Sequence, residues 1–392
     1  MHFFPSARLC RALAIVALAL SASARAEDLP SYRLPLFNGT DLTGWHVTDC
    51  DVAVEDGNLV LKAGDGFVRT DHRYADFILE LDWRAAKASD YDSGIYLRSE
   101  LPADRKKRPW PTRYQANLKQ GLEGNLVGVK GAESTGLIKT GEWNHFKFTA
   151  IGHQLALEIN GQPAWKTDTI EPLSGYIGFQ SEVKLGGEFA FKNIQVTELG
   201  AISLFNGKDL SGWEGAETDA SACWKVEDGL LLCDGKPGPW LRSEQEYGDF
   251  TLRLEYRVKE GGNSGVYVHV PANGKHRGRE VDGDGPNGTE IQILDDRSDR
   301  YKDIQPYQFC GSVYAIAPST EHVGRPAGEW NALEITCVGT SYRITHNGVQ
   351  IVNASEAEFP ELKNRQVRGY LGLQNHSEHV WFRNMRIGPP VK

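Results

Sequence analysis

The segment LFNGTDLTGW, at residues 36–45, recurs almost unchanged as LFNGKDLSGW at residues 204–213. Further matches follow in the same order in both halves of the chain. They pair residues 54–57 with 226–229, 74–77 with 247–250, 93–96 with 264–267, 141–144 with 328–331, 160–161 with 347–348, 175–180 with 369–374, and 191–193 with 382–384. These eight collinear matches indicate that one unit was duplicated, because a solenoid would show repeats of about 20–50 residues.

Each copy has the pattern of short β-strands joined by tight turns. Residues 250–256, for example, alternate apolar and polar side chains, as a half-buried strand does. Asp-Gly or Asn-Gly pairs lie between apolar runs at 56–57, 160–161, 228–229 and 347–348, and such pairs favour two-residue hairpins. The sequence therefore predicts an all-β protein of two tandem jelly-roll sandwiches. Trp143 and Trp330 hold matching positions and are predicted to lie in the two cores.

The first 26 residues have the pattern of a secretory signal peptide. Arg8 and Arg11 precede an apolar run at residues 12–22, and Ala24-Arg25-Ala26 follows it, as at a cleavage site. The run is shorter than the about 20 residues that span a membrane. We therefore expect a periplasmic or secreted protein without a membrane span, with a first domain at residues 27–200 and a second at 201–392.

The charge of the predicted mature chain limits the partners it would bind. Residues 1–26 hold three arginines and no acidic residue, so the formal net charge falls from −9 to −12 when they are removed. Nucleic acids and anionic lipids need local positive charge. We therefore expect neither as the main partner.

Five cysteines remain in the predicted mature chain. Cys223 and Cys233 lie symmetrically about the turn at 227–229, where a cross-strand disulfide could form in an oxidising compartment. Cys310 and Cys337 could form a second pair and leave Cys50 free. Buried thiols without bridges are an equal alternative.

Residues 289–296, TEIQILDD, hold the strongest catalytic candidates. Strand alternation places Glu290 and Gln292 on one face and the intervening isoleucines on the other. Asp295 would join the polar face only through a β-bulge, which can redirect side chains near active sites. An ordinary solvent-facing strand would show the same alternation.

Three more segments carry groups of interest. Gln374-Asn375-His376 follows an apolar strand, and a histidine moves protons readily near neutral pH. Asn263 precedes another strand. The loop 281–288 could hold calcium through Asp282 and Asp284, although it lacks the spacing and distal glutamate of an EF-hand.

In this order, the motifs of the second copy resemble the 3-keto-disaccharide hydrolase domain family. They are residues 204–213, 224–229, 247–250, 263–267, 290–296, 328–331, 372–376 and 380–384. The resemblance covers essentially the whole second copy, whereas the first copy matches at both ends and diverges between them. It implies a concanavalin-like jelly-roll fold and the cleavage of sugars oxidised at C3.

The chemistry that the resemblance implies needs a base, an acid and groups that hold the sugar. A ketone at C3 acidifies the C2 proton, so that elimination of the C1 substituent and addition of water give net hydrolysis. Glu290 and His376 are the candidates for base and acid, in either order, with Asp295 as a third catalytic member. The candidate substrate-binding residues are Asn263, Gln292 and Gln374. No cofactor is required, although a divalent metal could assist.

The first copy departs from this pattern where the chemistry would occur. Gln115 replaces Glu290, Gln120 replaces Asp295, Glu182 replaces His376 and Asp92 replaces Asn263. We therefore expect catalysis to reside in the second copy. The alternative function is that of a non-catalytic, lectin-like carbohydrate-binding protein, because jelly rolls serve both roles.

Overall fold

The computed structural model describes residues 29–104, 106–171, 173–272, 274 and 287–391. The first copy forms β1 (Ser31–Pro35), β2 (Trp45–Glu55), β3 (Asn58–Tyr74), β4 (Phe77–Ala85), β5 (Gly94–Ser99), β6 (Gln115–Asn117), β7 (Asn144–Ile151), β8 (Gln154–Ile159), β9 (Gln162–Thr167), β10 (Gly175–Glu182), the helical turn α1 (Val183–Gly186) and β11 (Phe189–Leu199).

The second copy repeats this order of strands. Its strands are β12 (Ile202–Ser203), β13 (Trp213–Gly215), β14 (Trp224–Glu227), β15 (Leu230–Asp234), β16 (Leu241–Tyr247), β17 (Phe250–Val258), β18 (Asn263–Val270), β19 (Thr289–Leu294), β20 (Asn331–Val338), β21 (Ser341–His346), β22 (Val349–Ala354), β23 (Gly369–Leu373) and β24 (His379–Gly388). Its 3₁₀ turns are Ala220–Ala222, Asp299–Tyr301, Pro306–Gln308 and Pro360–Leu362. Both copies are β-sandwiches, and the prediction of an all-β jelly-roll protein is confirmed.

The four predicted hairpins form with two-residue turns. The residues that flank the turns pair directly, as Glu55 does with Asn58 and Ile159 with Gln162. Asp56 and Asn160 have positive φ angles of 49° and 51°, and the glycine that follows each also has positive φ. Positive φ at both central residues is the geometry of a type I′ turn, which explains why Asp-Gly and Asn-Gly pairs recur here.

The two layers of each sandwich are connected differently in the two copies. In the first copy, β3 belongs to both layers, because residues 59–61 pair with β11 and residues 65–74 pair with β10. In the second copy the layers are separate sheets of eight and five strands. The five-stranded sheet has the order β13-β16-β23-β18-β19. This order brings the predicted site segments, on β18, β19 and the end of β23, next to one another.

The cores lie between the layers, and the tryptophan pair Trp143 and Trp330 lies outside them. Trp143 and Trp330 are only half-buried, so their predicted place in the core is wrong. Cations lie over each indole instead: Lys192 Nζ is 4.0 Å from the Trp143 ring centre, and the Arg383 guanidinium carbon is 4.0 Å from that of Trp330. A cation over an aromatic face is attracted by its quadrupole, so a surface contact can account for the repeated tryptophan.

The cysteines of the described residues are free thiols. The register pairs Cys233 with Trp224 rather than with Cys223, so the predicted cross-strand disulfide does not form. Cys310 lies instead against the Tyr256 hydroxyl, at 3.0 Å. The alternative of buried, unbridged thiols is the one observed.

Two sequence predictions lie outside the described residues. The predicted signal peptide is one, and the calcium candidates Asp282 and Asp284 are the other. Among the residues that are described, no helix is long and apolar enough to cross a membrane.

The two sandwiches meet at a buried cluster of ion pairs. Glu198, at the end of β11, accepts hydrogen bonds from Arg253 and from Arg386 Nε, the latter at 2.6 Å. Arg253 Nε also donates to Glu334 at 2.8 Å. Burial alone would raise the pKa of Glu198, but the two guanidinium groups outweigh it and hold that pKa below its usual range. The first copy therefore supplies a carboxylate that neutralises arginines of the second.

Removal of this carboxylate should destabilise the whole chain. Glu198 is the only carboxylate paired with Arg386 in the described ranges, so Glu198→Ala leaves a buried guanidinium without its counter-charge. We expect the free energy of unfolding in urea to fall by about 3–5 kcal/mol. The control is Glu214→Ala, which removes the more exposed partner of Arg242 and should cost about 1 kcal/mol or less. Equal losses in the two variants would contradict this role of Glu198.

Candidate active site

The candidate site is built on β19, at the edge of the five-stranded sheet. Residues of β19 alternate as predicted: Ile291 and Ile293 are fully buried in the core, whereas Glu290, Gln292 and Leu294 line a cavity on the other face. The strand is paired with β18 without interruption from Val268–Thr289 to Asn263–Leu294.

The cavity has a volume of about 190 Å³. It is lined by Asn263, Glu290, Gln292, Leu294, Tyr301, Ile304, Gln308, Tyr314, Gln374 and His376. Five of the six predicted site residues therefore lie together, although they come from three separate segments of the chain. The sixth, Asp295, lies elsewhere.

The Glu290 carboxylate is positioned by Gln374, which is itself held by two hydrogen bonds to β18. The Ser264 hydroxyl donates to the backbone oxygen of Gln374, and the backbone amide of Gln374 donates to the Gly265 oxygen, both at 2.8 Å. The side chain of Gln374 then donates through Nε2 to Glu290 Oε1 at 2.8 Å. A Cβ on Gly265 would lie only 2.7 Å from that same oxygen, so a side chain there would displace the carboxylate from this position.

Amide oxygens around Glu290 point to a ligand rich in hydrogen-bond donors. Asn263 Oδ1, Gln292 Oε1 and Gln374 Oε1 are buried and have no hydrogen-bond partner among the described residues. Buried polar atoms are almost always hydrogen-bonded, and leaving one unpaired costs about 1–3 kcal/mol. Sugar hydroxyl groups would supply the missing donors.

His376 lies at the opening of the cavity, in an exposed loop that is held on both sides. Asn375 Nδ2 donates to the Lys236 oxygen at 2.9 Å, and Arg300 Nη1 donates to Glu378 Oε1 at 2.9 Å. The imidazole thus combines access to solvent with a fixed backbone. Such a position suits a group that exchanges protons with water.

Asp295 supports the fold of the site from outside the cavity. β19 has no bulge, so Asp295 does not join the face of Glu290. Its carboxylate instead accepts a hydrogen bond from the Gly261 amide at 2.8 Å. Gln120, at the equivalent place in the first copy, accepts one from the Asp90 amide at the same distance. The repeated contact explains Asp295 as a support for the turn before β18.

The first copy keeps the backbone of the site but satisfies its polar groups internally. The Ser93 hydroxyl donates to the Gln180 oxygen at 2.7 Å, as Ser264 does to that of Gln374. Gln115, in place of Glu290, donates to Gln180 Oε1 at 2.5 Å, and Gln180 Nε2 donates to Glu182 at 2.8 Å. Burial, together with Asp92 and Asp65, raises the pKa of Glu182.

Apart from Leu294 on β19 itself, the sequence analysis missed four residues of the cavity, and all four come from the connection between β19 and β20. This connection spans residues 295–330, whereas its counterpart in the first copy spans only 118–143. The greater length of the connection in the second copy was the feature of the sequence that could have pointed to these residues. The missed residues are Tyr301, Ile304, Gln308 and Tyr314. Burial raises the pKa of Tyr301, whose protonated hydroxyl donates to the Gly261 oxygen at 2.9 Å.

No three His, Cys, Asp or Glu side chains of the described ranges are grouped as metal ligands. The oxygen-bearing side chains around the cavity are one carboxylate, four amides and two tyrosine hydroxyls. This set could contact either a hard cation or sugar hydroxyl groups.

Comparison with known proteins gives the same family for both halves of the chain. The model of the 3-keto-α-glucoside-1,2-lyase-like domain matches residues 34–197 and again 200–388. A 3-keto-disaccharide hydrolase of Bacteroides thetaiotaomicron is 27% identical over an alignment of 227 residues that covers 48% of this chain and 78% of the relative.

Solved structures with a similar fold include a provisionally named glycosyl hydrolase from Parabacteroides distasonis. It is 24% identical, with a TM-score of 0.41, over 48% of this chain and 98% of that one. A carbohydrate-binding module from Bacillus subtilis is 18% identical, with a TM-score of 0.31, over 39% of this chain and 95% of its own.

The structural role of Asp295 can be separated from a catalytic one by two substitutions. Asp295→Asn keeps an oxygen that can accept from Gly261, as Gln120 does from Asp90, so we expect its urea unfolding to stay within about 1 kcal/mol of the native protein. Asp295→Ala leaves the buried amide unpaired and should cost about 1–3 kcal/mol. If the asparagine variant is as stable as expected but loses all turnover, the carboxylate has a chemical role after all.

Proposed function

Because the chain belongs to the family of 3-keto-α-glucoside-1,2-lyase-like domains, we propose that its second copy hydrolyses 3-keto-glycosides, 3-keto-disaccharides among them. The observation that carries this proposal is the position of Glu290. Its carboxylate is buried, oriented by Gln374, and faces a cavity lined with amide groups. A base held among sugar-binding groups is what removal of a sugar C2 proton requires.

The reaction proceeds in two halves. Glu290 accepts the C2 proton, a double bond forms between C1 and C2, the C1–O bond breaks, and the leaving oxygen takes a proton from His376. Water then adds to C1 of the resulting enone and a proton returns to C2, which gives the 3-keto sugar. Elimination alone, the first half, is a lyase reaction, which is the word used in the family description. Elimination followed by addition of water is a hydrolysis, which is the word used in the name of the Bacteroides relative.

The difference in burial between Glu290 and His376 supports one assignment of the base and acid roles. Glu290 is 3% exposed, so it meets the sugar ring that enters the cavity and carries the C2 proton. His376 is exposed at the opening, where the leaving group departs and where water can restore the lost proton. This position favours Glu290 as the base and His376 as the acid.

The amide groups would hold the ring and stabilise the charge that forms on it. When C2 is deprotonated, negative charge develops on the C3 oxygen, and fixed donors lower the energy of such an oxyanion. Asn263 and Gln292 each carry an amide NH₂ group at the cavity. Their amide oxygens would accept from the sugar hydroxyl groups.

The first copy lacks the groups for this reaction. Gln115 is an amide and cannot accept the C2 proton, and it is already bonded to Gln180 and Tyr96. Two acidic groups near the matching position are already engaged: Glu182 accepts from Gln180, and Asp92 is paired with Lys119. We therefore place turnover in the second copy.

Glu290→Gln should strongly reduce turnover of a 3-keto-disaccharide by the full-length mature protein. The substitution keeps an oxygen that can accept from Gln374, so the fold should persist, while kcat falls by about 10²–10⁴-fold because the base is lost. The matched control is Glu182→Gln in the first copy, which should retain activity. Sugar release is measured for the keto-disaccharide and for its unoxidised parent, which should not be cleaved because its C2 proton is not acidified.

Three results would contradict the proposal. Activity in Glu290→Gln together with its loss in Glu182→Gln would assign catalysis to the first copy. Equal cleavage of the unoxidised sugar would exclude the elimination route. Binding of glycans by the native protein without any cleavage would favour the lectin-like alternative.

The acid role of His376 predicts a dependence on the leaving group. For His376→Gln, kcat/KM should fall by about 10²-fold or more on a 3-keto-disaccharide, whose sugar alkoxide must be protonated as it departs. It should fall far less on a 3-keto-glucoside of nitrophenol, which leaves as an anion. His379→Gln is the control, because His379 lies beyond the same loop and does not line the cavity. Equal losses on both substrates would argue against His376 as the acid.

A further inference from the structure

The candidate cavity has a buried floor and an accessible rim. We define the floor as Glu290, Gln292, Leu294, Tyr301 and Gln374, all of which are buried. The rim consists of Ile304, Gln308 and Tyr314, which are half-buried, and the exposed His376. The volume of about 190 Å³ is below the roughly 300–1,000 Å³ of pockets that enclose drug-sized ligands. It fits one sugar ring, so the second half of a disaccharide has to lie at the rim.

Most of the rim comes from residues 299–314, which we call the wall segment. It contains two 3₁₀ turns, Asp299–Tyr301 and Pro306–Gln308, whereas no helix or 3₁₀ turn lies between β6 and β7 in the described part of the first copy. The wall segment is therefore an elaboration of the copy that carries Glu290 and His376.

Backbone hydrogen bonds attach the wall segment directly to the strand of the proposed base. The Tyr314 amide donates to the Glu290 oxygen at 2.9 Å, and the Gly311 amide donates to the Gln292 oxygen at 2.8 Å. At its other end, Arg300 Nη1 donates to the Gly261 oxygen at 3.1 Å. Groups on the wall segment are thus held at fixed positions relative to Glu290, as a specificity pocket requires.

The rim pairs an aromatic face with an amide. Gln308 Nε2 donates to the Tyr314 hydroxyl at 3.2 Å, and the Tyr307 ring meets the Tyr314 ring edge to face, with centroids 6.3 Å apart. These contacts orient the Tyr314 ring. A tyrosine presents an apolar face with a polar end, which suits the C–H face and the hydroxyl edge of a sugar.

We propose that Tyr314 and Gln308 form the binding site for the leaving half of the substrate and set the preference for a sugar in that position. This inference rests on the proposed function. It assigns the floor to the ring that loses its proton and the rim to the sugar that departs past His376.

The test compares two substrates that share the 3-keto ring and differ in the leaving group. Tyr314→Ala and Gln308→Ala are assayed on a 3-keto-disaccharide and on methyl 3-keto-glucoside. We expect kcat/KM to fall about tenfold or more on the disaccharide, the scale of a lost specificity contact, and less than about threefold on the methyl glycoside. Tyr370→Ala, a half-buried tyrosine of the second copy outside the cavity, should change neither.

Equal losses on both substrates would overturn the inference while leaving the proposed function intact, because the wall segment would then act on the ring held at the floor. Native protein that cleaves neither substrate would instead refute the proposed function. In that case the inference is tested by measuring how tightly each of the two substrates binds. In the Glu290→Gln background, Tyr314→Ala should weaken binding of the keto-disaccharide, measured by calorimetry, about tenfold. Binding of the methyl glycoside should stay unchanged. Equal weakening for both ligands would overturn the inference.

Discussion

The Ser264 hydroxyl and the Gly265 backbone oxygen hold Gln374 at the end of β23 through two hydrogen bonds of 2.8 Å. The candidate site depends on this contact, because it places the Gln374 amide against Glu290 while Gly265 leaves room for the carboxylate. The same contact exists in the first copy between Ser93 and Gln180. There the glycine Gly94 lies beneath Gln115, and an added Cβ would be 2.2 Å from Gln115 Nε2. The duplicated unit thus preserves a backbone frame, and the function of each copy depends on the side chains that the frame presents.

The side chains within that frame differ in how their hydrogen bonds are completed. In the first copy, Tyr96, Gln115, Gln180 and Glu182 form a chain in which each group has a protein partner. In the second copy, amide oxygens at the same level have none among the described residues. The first arrangement is stable without a ligand, whereas the second gains stability when donors enter the cavity. The absence of the carboxylate and the completed hydrogen-bond network therefore go together in the first copy, and they distinguish its packed surface from the open cavity of the second copy.

Sequence reasoning succeeded where a local rule fixes the structure and failed where the tertiary register decides. The Asp-Gly and Asn-Gly turns and the two faces of β19 follow from φ preferences and from strand alternation, so they could be predicted. Asp295 could not be placed, because its role depends on whether β19 has a bulge. The predicted Cys223–Cys233 disulfide was wrong because the register of the hairpin differs by one residue, which places Trp224 opposite Cys233. The wall segment has neither alternation nor helical period, so only its length distinguished it, and its contribution of Tyr314 and Gln308 to the cavity required the structure.

The junction between the copies gives a physical reason to retain a first copy whose polar groups are satisfied internally. Arg253 and Arg386 belong to β17 and β24, the central strands of the second copy's larger sheet, and both are almost fully buried. Their charges are compensated by Glu334 and by Glu198, which the first copy supplies. Breaking a buried ion pair from one side costs more than the pair contributes, because a charge is left in a medium that solvates it poorly. Changes in the side chains around Gln115 would therefore not weaken the ion pairs at the junction. Changes in β11 that remove Glu198 would weaken them.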